Sequence, residues 1–169
     1  MTERDTILSV LADQRIELER TYRAFSQEVL TTPCTDSEDP DGAPWAPIDH
    51  LGHLLRIEKA FLGMAKLTVA GDEAPIKIAG STWEDRIAQV HRDNEAHLDS
   101  LRPLEIETLL TELAKARTET MSFIDELSDE QLTTPIPDAP WGDGTIGGVL
   151  MANAGHERQH LAWVAEAIA

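Results

Sequence analysis

Apolar residues recur along most of this chain at steps of three, four and seven, the repeat that lines one face of an α-helix. From Glu3 to Leu30 the stripe is Leu8, Leu11, Leu18, Tyr22, Phe25 and Val29. Thr31 to Pro44 is rich in Pro, Asp, Ser and Thr and reads as a loop. A second helix is expected from about Ala46 to Thr68, with Pro47 in its first turn, where a missing N–H leaves no bond unmade. Gly71 to Gly80 reads as a connection. Ser81-Thr82-Trp83-Glu84 has the form of a capping box and opens a shorter helix to about Leu101, which Pro103 ends. Glu105 to Leu127 carries the stripe Leu109, Leu113, Ala116, Phe123 and Leu127. A second Pro-containing loop follows from Ser128 to Gly144, and Thr145 stands where it can cap a last helix to about Ile168.

No segment alternates as a strand does. The pattern predicts an all-α fold, a four-helix bundle with one additional shorter helix, in a single domain over residues 1–169. Both long loops end in Ala-Pro-Trp, at Ala43-Pro44-Trp45 and Ala139-Pro140-Trp141. Tryptophans so placed are expected to plug the end of the bundle.

Charge narrows the partners. A net charge of −17 repels nucleic acid and anionic membrane surfaces. The first residues show no signal-peptide pattern, and no apolar run is long enough to span a membrane, so a soluble, cytoplasmic protein is expected. Cys34 is the only cysteine and lies in a polar, acidic loop, where it reads as an incidental surface thiol.

The chemistry concentrates in the last helix, at His156-Glu157-Arg158-Gln159-His160. Two histidines four apart share one helix face, the spacing at which two imidazoles hold one metal ion. The string also matches the H-E-x-x-H of zinc proteases. Nine residues follow His160, however, and none is His or Asp, while Glu166 is too near to reach from a separate segment. A third ligand must therefore come from upstream. At about 100° per residue, Ile146, Val149, Val164 and Ile168 mark the core side of this helix, and Asn153, His156, Glu157 and His160 fall within it. Four polar groups on a buried face demand partners, and a metal site supplies a shared one.

On the second helix the expected wet face is Asp49, Arg56, Lys59 and Lys66. His50 points close to the apolar centre at Leu54, Ile57 and Phe61, and His53 lies at its flank beside Ile57, Ala60 and Met64. The two are about 60° apart, so either can supply the third imidazole. His91 and His97, on the charged shorter helix, read as surface residues. Glu157 is a candidate general base, or else it orients an imidazole or pairs with an arginine such as Arg15. Asn153, one turn before His156, is a candidate contact to substrate or to a ligand histidine. Glu157-Arg-Gln-His160 is also a Glu-x-x-His motif, with Glu58 as a further carboxylate, but a di-iron bundle requires a second such motif that the long helices lack.

Trp45-Ala-Pro-Ile-Asp-His-Leu-Gly-His53, the Trp141-Gly142 lead-in and Gly155-His-Glu-Arg-Gln-His160 together resemble the DinB/YfiT-like family of metal-dependent four-helix bundles. The resemblance covers nearly the whole chain and the order of its helices. It implies that the ligands are His53, His156 and His160, holding a divalent ion such as zinc, nickel or iron. It also implies a small-molecule substrate and metal-dependent chemistry. Characterised members include transferases that use low-molecular-weight thiols such as bacillithiol or mycothiol, an isomerase, and hydrolase-like or resistance proteins. A thiol transferase or hydrolase is thus the expected enzyme class, a non-catalytic metal- or small-molecule-binding protein is the alternative, and a homodimer is the expected assembly. Three imidazoles leave a metal open positions at which water or a thiol becomes a nucleophile.

Overall fold

A computed structural model describes residues 3–169, and every described helix is α. Among these residues the chain forms α1 (Glu3–Ala24), α2 (Gln27–Thr31), α3 (Pro47–Val69), α4 (Trp83–Leu101), α5 (Ile106–Glu126), α6 (Asp129–Leu132) and α7 (Ile146–Ile168). The long helices α1, α3, α5 and α7 make the bundle. α1 packs against α5 and α7, and α3 packs against those same two from the opposite side. α4 is the additional helix and lies outside, against α3. Gly52 permits that approach, since a Cβ there would stand 2.7 Å from Leu98 Cδ2.

One apolar cluster joins Ile7 and Leu11 to Phe61, Ile124, Ile146, Val149 and Leu150. A second joins Leu18 and Tyr22 to Leu51, Leu54, Leu55, Leu110 and Leu113. None of the described helices is long and apolar enough to cross a membrane.

Three local features differ from the sequence reading. The helix expected to reach Leu30 breaks after Ala24, because Ser26 accepts a hydrogen bond from Val29 N (3.2 Å) and starts the short α2. The apolar stripe crosses that break without interruption. The capping box of α4 is one residue later than expected, with Thr82 as cap and Asp85 as its reciprocal partner. Asp49 is not on a wet face: it is buried, its carboxylate accepting from Ala46 N (2.9 Å) and Arg102 Nε (3.0 Å) at the start of α3. Thr145 does cap α7, its hydroxyl accepting from Gly148 N at 3.1 Å.

Each long loop is pinned where it meets its helix. Thr35 bridges to Trp45, and Pro135 to Thr145. Within the second loop, Gly142 has φ +59°, and a Cβ there would collide with the Gly148 carbonyl.

Candidate metal centre

α3 and α7 bring the sequence-selected histidines together. His53 Nε2 lies 3.2 Å from His156 Nε2, and His160 Nε2 lies 2.9 Å from the same atom. Glu38, from the loop before α3, adds a carboxylate oxygen 3.6 Å from His53 Nε2. One ligand atom from each of these four residues falls within 4.8 Å of the others. His53 and His160 are fully enclosed, and Trp45 closes the wall, its ring centroid 5.2 Å from those of His50 and His53. Trp45 is buried as expected, but its Nε1 donates to Glu95 on α4 (2.6 Å), so it ties the Glu38 loop to that helix as well as filling space.

The donor set fits a metal. A ring nitrogen carries one proton or one lone pair, so His156 Nε2 can satisfy only one of the two nitrogens that face it. An ion roughly 2.0–2.1 Å from each imidazole sets neighbouring nitrogens about 2.8–3.4 Å apart, from octahedral to tetrahedral angles, the range in which these stand. Burial holds the imidazoles neutral, as metal ligation requires: it lowers His50 and His156 to about 4 and depresses His53 and His160 well below the ordinary imidazole value, with the neighbouring histidines adding to the effect at His50, His53 and His160. Burial also raises the Glu38 carboxyl.

His50 is as buried as His53, yet it stands one layer back. Its Nδ1 is 2.7 Å from His160 Nδ1 and its Nε2 is 2.9 Å from Thr35 Oγ1.

Glu157 turns to the bundle axis. Its Oε1 accepts from Arg15 Nε (3.0 Å) and Arg117 Nη2 (2.8 Å), while Glu58 accepts from Arg15 Nη2 (2.5 Å) and Arg117 Nε (2.7 Å). This quartet is buried, and its two guanidiniums balance its two carboxylates. Burial works against the Arg15 charge, but Glu157 and Glu58 outweigh it and raise the guanidinium. Arg15 is thus the partner that the sequence offered for Glu157. Arg117 went unnoticed there, although it lies on the apolar face of α5 four residues after Leu113. Both glutamates are bound to arginines, so this pair is not free for a di-iron site. Asn153 is buried and its Nδ2 donates to Leu150 O in its own helix (3.1 Å).

A cavity of about 430 Å³ opens beside the cluster. His53, His156, Glu38 and Asn94 line it together with Ile57, Phe61, Val90 and Trp141. Neither Glu157 nor Asn153 is among the residues lining it. His91 does line it and is half-buried, so it is not the plain surface residue expected from its charged helix; His97 too is half-buried.

A model of the DinB superfamily matches residues 37–164. The chain belongs to the DinB superfamily. The matched stretch of this DinB protein takes in Glu38, His53, His156 and His160 and leaves out α1, and with it Arg15. No curated protein and no solved structure matches the chain significantly. Family membership and the His/Glu cluster together mark a protein fit to bind a metal.

Proposed function

We propose that this protein is a metal-dependent small-molecule enzyme that holds one divalent ion, zinc, nickel or iron, through His53, His156 and His160. The observation that carries the proposal is the meeting of three Nε2 atoms from two helices at the wall of a cavity. Imidazole ligands suit all three metals. A divalent ion there supplies Lewis acidity to a small ligand such as water or a thiol, which supports transfer of a thiol to an electrophile or hydrolysis. The chain's own residues do the rest. His50 and Thr35 orient His160, Trp45 keeps water from the back of the cluster, and Glu157 fixes the helix turn that carries His156. Glu38 reaches the cluster from a loop and serves as an exchangeable fourth donor.

Glu38 also favours a second reading, a binding protein in which a closed four-ligand site sequesters metal. Two measurements on protein purified without a histidine tag decide between these readings. Elemental analysis is expected to give one metal per chain. Glu38→Gln is expected to keep that stoichiometry and still admit an exogenous thiol to the metal. Loss of metal from Glu38→Gln supports the closed site, and no metal in the wild-type protein ends both readings.

A further inference from the structure

The cavity beside the histidines is graded along its length, and three helices grade it in step. On α3 the lining residues run His53, Ile57, Phe61, one turn apart. On α7 they run from His156 back to Ala152, and on α4 from Asn94 through His91 and Val90 to Ile87. Each series starts among polar groups and ends among apolar ones. The polar groups at the histidine end are joined: Glu38 accepts from Asn94 Nδ2 (3.3 Å) and lies 3.6 Å from His53 Nε2. Asn94 is fully buried, and its Oδ1 has no hydrogen-bond partner, so that end also holds an unmet acceptor. The apolar end is closed by Trp141, whose ring centroid is 5.0 Å from that of Phe61. Eight residues of helix separate His53 from Phe61, about 12 Å. Among the described residues no lysine or arginine lines the cavity, and Glu38 is the only carboxylate that does.

We infer that the cavity takes an elongated ligand with an uncharged, apolar body, an aryl group or a short alkyl chain, bearing one metal-binding atom at its head. This rests on the metal reading above and adds the substrate class. A charge on the body would be buried with no partner, while an apolar body replaces water along Ile57, Phe61, Ile87, Val90 and Trp141. The head alone meets polar groups.

Thiols test this, because thiolate binding to cobalt(II) gives a visible charge-transfer band that needs no turnover. Cobalt-loaded protein is titrated with hexanethiol, 6-mercaptohexanoate and 2-mercaptoethanol, and intrinsic tryptophan fluorescence, to which Trp141 in the cavity wall contributes, is followed in parallel. Hexanethiol is expected to bind at least about tenfold more tightly than either of the other two. Ile87→Lys places a cation on the half-exposed α4 wall and is expected to bring 6-mercaptohexanoate to within about threefold of hexanethiol. Equal affinities for the three thiols in the wild-type protein, or an unchanged ratio in a folded Ile87→Lys protein, overturn the inference while leaving the metal reading intact. No charge-transfer band with any thiol on the cobalt-loaded protein overturns the inference as well, while failure of the protein to take up cobalt(II) at all overturns the metal reading itself.

Discussion

His50 Nδ1 stands 2.7 Å from His160 Nδ1, and this contact sets the tautomers of both rings. With His160 Nε2 turned toward His53 and His156, its Nδ1 carries the proton and His50 Nδ1 accepts it. His50 Nε2–H is left to donate to the Thr35 hydroxyl, 2.9 Å away. His50→Ala is therefore expected to keep one metal per chain but weaken its binding about 10–100-fold. His53→Ala, His156→Ala and His160→Ala are each expected to lose the metal. Competition with a chelator of known affinity separates the two outcomes; metal loss from His50→Ala alone would exchange the roles of the two α3 histidines.

Glu157→Gln retains the side chain's shape and removes one of two anions facing two guanidiniums. It is expected to destabilise the fold by about 3 kcal/mol with metal stoichiometry unchanged. Urea denaturation reads the first and elemental analysis the second. An unshifted midpoint with a large fall in turnover would return Glu157 to the role of general base.

Chelation should leave the helices standing. The two apolar clusters draw on all four bundle helices without any histidine, so the helical circular-dichroism band should change little, while the melting temperature falls because bound metal stabilises by mass action. Collapse of the helical signal on chelation would make the metal structural.

The metal-free protein should weaken in acid. The unfolded chain's histidines take protons below about pH 6.5. In the folded chain burial keeps His50 and His156 neutral down to about 4. The folded state thus binds fewer protons across that window, and its stability is complete above pH 6.5 and lost as the pH falls, by about 1.4 kcal/mol per unit for each buried histidine. Thermal melts of chelated protein from pH 7.5 to 5 test this; a flat profile would mean that the folded state accepts those protons.

The long helices were legible because their apolar stripes repeat over five or six turns, and the α7 pair was legible because its spacing is a property of one helix. Choosing between His50 and His53 took the family resemblance, since both lie on the inner side and only packing against α7 tells them apart. Glu38 gave no signal at all. It is one acid among several in a polar loop, and the Thr35–Trp45 bridge and the Trp45–Glu95 bond, made between distant segments, carry it to the cluster. Asp49 was misread because a helical wheel does not register a first-turn carboxylate that caps its own helix. Arg15 and Arg117 were detectable: each lies on an apolar stripe, four residues after Leu11 and Leu113 respectively.

The quartet of Arg15, Glu58, Arg117 and Glu157 cancels internally, so the net charge of −17 is carried wholly by the rest of the chain. Self-repulsion is then a property of the outside of the molecule, within reach of mobile ions, while the ion pairs at the axis are sealed from them. Salt acts on the two unequally. Sodium chloride at about 0.5 M shortens the reach of surface repulsion to a few ångströms and leaves the buried pairs almost untouched. This acidic protein is accordingly built to gain stability, not lose it, as ionic strength rises.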